Sequence, residues 1–147
     1  MCDEPWSDYV MYPCQSTICE KGEALVCAVY GFQLLGLSCD VGMVHKFMVA
    51  NGGYEEDCNV KWSVMDGLNF PPYNEVENPQ YNQLCLWART FNVIVISYLP
   101  IGSSERRSAL LVDCDDIGGL FVRDGNMTFS TLPYSSSYEY HLFLSRN

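Results

Sequence analysis

Thr17-Ile18-Cys19-Glu20-Lys21-Gly22-Glu23-Ala24-Leu25-Val26-Cys27-Ala28-Val29-Tyr30-Gly31-Phe32-Gln33-Leu34-Leu35-Gly36 is the stretch on which the fold turns. Thr17 followed three residues later by Glu20 has capping-box spacing, in which each side chain satisfies the other's free backbone N–H. Beyond it, Ala24 to Leu37 is apolar almost throughout. Such a segment buries nearly its whole circumference. It is expected to form the central helix, interrupted near Gly31 and ending about Gly36, with Cys19 as its second helical residue.

Working outward, residues 1 to 15 carry Pro5 and Pro13 among aromatic and acidic residues and read as an arm packed over the core. Asp40 caps a second, short helix whose Val41, Val44, Met48 and Phe47 face inward before Gly52-Gly53 ends it. In residues 54 to 77, Trp62, Val64, Met65 and Leu68 suggest partial burial, whereas Gly67, Pro71 and Pro72 argue for irregular chain. A third helix starts with Asn78 as cap and Pro79 in its first position, and Tyr81, Leu84, Cys85 and Ala88 recur at helical spacing.

From Asn92 the pattern changes to strands. Val93 to Tyr98, Ala109 to Cys114, Gly119 to Val122 and Tyr138 to Leu144 are short β-rich runs separated by turn residues. Helices followed by strands imply an α+β fold, with N-terminal helices packed on a C-terminal antiparallel sheet. The expected organisation is one domain over 1–147: an arm at 1–15, a mainly helical half at 16–91 and a mainly β half at 92–147.

At 147 residues and 48% hydrophobic content, the chain has enough apolar material for one sizeable core. A net charge of −10 repels nucleic acid and anionic membrane, so the expected partner is a protein and direct nucleic-acid or membrane binding is disfavoured. No apolar run is long enough to span a bilayer, and Met1-Cys2-Asp3-Glu4-Pro5 lacks the basic start of a secretory signal, which points to the cytoplasm, or the host cytoplasm for a viral protein.

The eight cysteines form no CxxC pair and no Cys/His cluster at zinc spacing. Several lie in apolar runs, so reduced core thiols are expected, with no metal or other cofactor, while the even count also suits disulfides in a secreted chain. Asn126-Met127-Thr128 matches a glycosylation sequon, to which the missing signal segment gives little weight.

Chemically, the most informative position is Cys19, because a thiol in the first turn of a helix meets free N–H groups and the positive end of the dipole, which favour the thiolate. Gln15, four residues earlier, carries an amide able to donate to an oxyanion beside it. The histidines are His45, read as a solvated or core-edge residue, and His141, a base only if the last strand borders the cleft. Asp113, Asp115 and Asp116 read as a strand end and turn, without EF-hand spacing.

A glutamine shortly before a cysteine that opens a long apolar helix, then further helices, then a C-terminal antiparallel sheet, resembles the papain-like cysteine peptidases. The order is closest to compact members such as viral leader proteases, bacteriocin-processing peptidases and Josephin-type deubiquitinases. The resemblance implies a histidine at the start of a strand and an Asp or Asn on the following one. The matching strand begins at Ser108, with Asp124 or Asn126 after the next. Serine cannot accept and return a proton near neutral pH. The expectation is therefore a degenerate papain-like domain that binds a protein. Two alternatives stand beside it: an active cysteine peptidase or deubiquitinase using Cys19 with His141, and an acidic structural or inhibitory protein, viral in one version.

Overall fold

The computed structural model describes residues 1–74 and 77–145. The capping box forms: Thr17 Oγ1 accepts from the Glu20 N–H at 3.3 Å, and Glu20 Oε1 accepts from the Thr17 N–H at 3.0 Å. The helix it opens, α1 (Ile18–Lys21), lasts one turn. Gly22 stops it, packing so tightly that a Cβ there would stand 2.6 Å from Ile18 Cγ2. The chain restarts as α2 (Glu23–Leu34). The single helix expected from Thr17 onward is thus two, and Cys19 belongs to the short one.

Gly31 does not interrupt α2. A Cβ at Gly31 would lie 2.6 Å from Val93 Cγ1 and 3.0 Å from Leu110 Cδ1, so the glycine lets the helix lie close on the sheet. Leu25 to Val29 and Phe32 are buried, whereas Leu34 is 60% exposed, so the buried circumference ends before the last turn. Gly36, at φ +85°, closes the helix with Leu37 N–H on the Phe32 carbonyl at 3.1 Å and its own N–H on Gln33 at 2.9 Å, a Schellman end.

Asp40 caps α3 (Val41–Ala50) as expected, accepting from the Met43 N–H at 2.8 Å. Val41, Val44 and Met48 are buried, and so is His45. A 3₁₀ turn, Trp62–Gly67, follows in the stretch read as irregular. The third expected helix is α4 (Tyr81–Ala88); its N-cap position is Gln80 rather than Asn78, and the Gln80 side chain makes no capping bond. Asn78 instead adopts a left-handed conformation, at φ 49°.

Among the described residues, six strands form one antiparallel sheet in the order β1-β6-β2-β3-β4-β5: β1 (Tyr73–Asn74), β2 (Asn92–Tyr98), β3 (Arg107–Cys114), β4 (Gly119–Arg123), β5 (Phe129–Pro133) and β6 (Glu139–Leu144). The α+β class is as expected. Helices cover both faces: Val93, Val95, Leu110 and Phe143 join the α2 cluster, and Ile94, Ile96, Leu111, Leu120 and Leu142 join Leu84 of α4 on the other. The unbroken buried run Val93–Ser97 follows, because a strand sheltered on both faces loses its polar alternation.

Disulfides replace the expected free thiols. Cys2–Cys19, Cys14–Cys58 and Cys85–Cys114 are bonded, with Cα separations of 4.8, 5.2 and 5.6 Å, all within disulfide range. Cys27 and Cys39 stay free. The first two bonds fasten the N-terminal arm, which also pairs Val10 with Thr17 and buries Met11, and the third fastens α4 to β3. The apolar neighbours of Cys85 that suggested an isolated thiol are the packing between α4 and β3.

Candidate functional site

The N-terminus of α2 meets the start of β3, and the groups gathered there are charged. Glu23, the first residue of α2, receives Arg107 in a forked pair: Nε to Oε1 at 2.9 Å and Nη2 to Oε2 at 3.0 Å. The same carboxylate accepts the Ser108 N–H at 2.9 Å and the Gly125 N–H at 3.3 Å. Asp124 stands 3.8 Å from Arg107 Nη2, and its other oxygen accepts the N–H groups of Asn126 at 2.8 Å and Thr128 at 3.0 Å.

A carboxylate in the first turn of a helix is favoured by the dipole, and fork-on-fork pairing with arginine adds directionality. The two acids push the Arg107 pKa upward, which keeps the guanidinium charged. Glu23, with donors from β3 and from the β4–β5 turn on both its oxygens, is committed as an acceptor. The arrangement is a clamp holding α2, β3 and that turn together, and among the described residues no imidazole is hydrogen-bonded to it.

The sequence-predicted residues are dispersed. Cys19 is bonded to Cys2, so this position holds no thiolate, and its N–H donates to the Ser7 carbonyl at 2.9 Å. Gln15 is exposed in a left-handed turn at φ 66°. Asp124 serves Arg107 and its own turn. Ser108 gives its N–H to Glu23, while its hydroxyl lies 3.4 Å from that of Ser97.

His141 finds its partners on β2, on β6 and at the 3₁₀ turn. Its ring stacks on Trp62 at 4.5 Å, and Nε2 lies 3.2 Å from Ser97 Oγ and 3.7 Å from Glu139 Oε2. Serine, histidine and carboxylate are the ingredients of a hydrolytic triad, but the acid and the serine approach the same nitrogen. A working triad places the acid on Nδ1, opposite the hydroxyl. Burial draws the His141 pKa down to about 4, more than nearby Glu139 raises it, and the ring is neutral at pH 7.

Two further features lie outside the predicted site. Cys27, buried beneath β3 with its thiol 3.7 Å from the Ser108 carbonyl, has its pKa pushed well up by desolvation and so rests as an inert thiol. The arm and α3 enclose an open groove of about 530 Å³ lined by Tyr9, Val10, Tyr12, His45, Lys46, Val49 and Ala50. Its buried His45 bonds the Tyr54 hydroxyl through Nδ1 at 2.8 Å, and the ring contacts both Tyr9 and Tyr54. Among the described residues no three His, Cys, Asp or Glu side chains gather in a way that would hold a metal. No helix among them is long and apolar enough to cross a membrane.

No protein-family model, no curated protein and no solved structure matches this chain.

Proposed function

We propose that this chain is a catalytically degenerate papain-like domain that acts by binding another protein, and that it folds in an oxidising compartment rather than the cytoplasm. The observation that carries the reading is the clamp. In a papain-like arrangement, the junction of the helix N-terminus with the start of the strand is where thiol and imidazole meet. Here it is filled by Glu23, Arg107 and Asp124. The disulfide of Cys19 and the distant partners of His141 support the same conclusion, since acyl transfer needs a nucleophile and a proton donor at one place. Three disulfides in a chain of this size support the compartment, because reducing cytosol does not maintain them.

The groove between the arm and α3 supplies the binding surface. Tyr12 and Val49 are exposed at its rim, tyrosine being favoured at interfaces because it offers a large contact area and a polar tip. Cys14–Cys58 ties the arm to the turn bearing exposed Glu55, Glu56 and Asp57. The groove, apolar apart from His45 and Lys46, accepts an aliphatic or aromatic anchor, and the acidic turn tied to the arm suits basic residues flanking that anchor.

Two measurements test the reading. A mechanism-based alkylating peptide should leave the protein unlabelled, both oxidised and after mild reduction; labelling that disappears in both Cys19→Ala and His141→Ala would establish a peptidase instead. A random-peptide display selection should enrich sequences pairing Lys or Arg with a large apolar residue, and those peptides should bind Val49→Asp at least tenfold more weakly. Enriched peptides that bind both proteins equally would remove the groove from the account.

A further inference from the structure

We infer that Asn126 is an N-glycosylation site, an inference that rests on the oxidising compartment proposed above. The observation is a juxtaposition: the sequon Asn126-Met127-Thr128 lies in the β4–β5 turn of a chain cross-linked by three disulfides. The sequon requires a hydroxyl residue two positions after the asparagine and any residue but proline between them, and Thr128 and Met127 satisfy both conditions.

Sequence alone leaves such a tripeptide without weight, because a three-residue pattern recurs by chance. The fold adds what the pattern lacks. Asn126 and Thr128 are both exposed, and Met127, at φ 60°, turns the chain so that the tripeptide forms the tip of a hairpin. Tip geometry is set from below by the Asp124 carboxylate, which accepts from the N–H groups of Asn126 and Thr128, and by Met127 N–H on the Asp124 carbonyl at 2.9 Å. The Asn126 side chain is used through its oxygen, which accepts from the N-terminal amine of Met1. Among the described residues its Nδ2, the atom that carries a glycan, has no hydrogen-bond partner. A glycan there leaves the turn and the Glu23 clamp beneath it undisturbed.

The transfer is balanced by a lipid-linked oligosaccharide pyrophosphate, the donor class of the secretory pathway. Asn126 Nδ2 bonds the anomeric carbon of the first sugar, the bond from that carbon to the phosphate oxygen breaks, and the lipid pyrophosphate leaves with the electron pair. The amide loses one proton. The product is bulky and hydrophilic, and its position is informative: Asn126 sits three residues before Phe129, the first residue of edge strand β5, where Phe129 to Thr131 are all exposed. Open edges invite pairing with other chains, and a glycan at the strand's entrance obstructs it.

The experiment expresses the full chain behind a cleavable secretory leader in a eukaryotic cell and analyses the secreted and cell-associated fractions alike, so that a retained protein still reports. Wild type should carry one N-glycan; its enzymatic release in heavy-oxygen water should convert residue 126 to aspartate bearing the label. Thr128→Ser should keep the glycan, whereas Asn126→Gln and Thr128→Ala should lack it. Unmodified wild type in both fractions, or a glycan that persists in Asn126→Gln, overturns the inference. Counting free thiols in the same material separates the two claims: eight free thiols on a glycosylated chain refutes the disulfide-based compartment reading, while two free thiols on an unglycosylated chain refutes the site alone.

Discussion

Glu23 joins elements far apart in sequence: its carboxylate receives donors from Arg107, Ser108 and Gly125. Glu23→Ala leaves those donors without their acceptor and should destabilise the fold by about 1–3 kcal/mol in urea unfolding, Glu23→Gln by less, because an amide retains one acceptor oxygen. Equal stability of all three proteins would show that the clamp is solvated surface. His141 makes a second prediction at this scale. Its pKa falls from 6.5 unfolded to about 4 folded, so its neutral burial contributes stability fully present above pH 6.5 and lost as pH falls toward 4. The loss amounts to about 3 kcal/mol at the low end of that window. Of the charged groups beside it, Glu139 raises the pKa and Arg106 lowers it, each more weakly than burial. Stability measured from pH 7 to pH 4 should therefore fall less steeply in His141→Gln; parallel profiles would mean that the imidazole is solvated. Neither role was legible in sequence. A clamp between positions 23 and 107 and a ring sheltered by Trp62 depend on contacts across more than seventy residues, for which local spacing carries no signal.

Elements whose ends are written in local chemistry were legible. Asp40 with the Met43 N–H caps the helix expected of it, and Thr17 with Glu20 forms its capping box, though on the one-turn α1 rather than on the long helix, because a cap is a contact over three residues and does not report how far the helix runs. The buried strands were legible for a similar reason, as apolar β-branched runs. Strand β5 was not: Phe129-Ser130-Thr131-Leu132-Pro133 is an exposed edge, and an edge strand shows little hydrophobic alternation and tolerates proline. Apolar content also misled at the end of α2, where Leu34 reads like Leu25 but is 60% exposed. Leu25→Ala should cost about 2–5 kcal/mol, and Leu34→Ala should be nearly neutral. Thermal unfolding of the two variants measures the contrast, and equal losses would place the last turn of α2 in the core.

For the whole molecule, the decisive chemistry is redox. Bonds between cysteines 17, 44 and 29 residues apart each close a loop and restrict the unfolded chain, a contribution of about 2–4 kcal/mol apiece. Pairing of this kind is set by topology, so eight cysteines scattered through apolar runs disclose neither the partners nor the oxidation state. The same bonds connect fold to function: Cys2–Cys19 both anchors the arm that forms one wall of the groove and occupies the thiol on which a peptidase would depend. The most direct measurement is peptide mapping of the purified protein after alkylation under denaturing, non-reducing conditions. The account predicts alkylation of Cys27 and Cys39 alone, with linked peptides joining Cys2 to Cys19, Cys14 to Cys58 and Cys85 to Cys114. Alkylated Cys19, with no linked peptide containing it, would contradict the account and restore the nucleophile it denies.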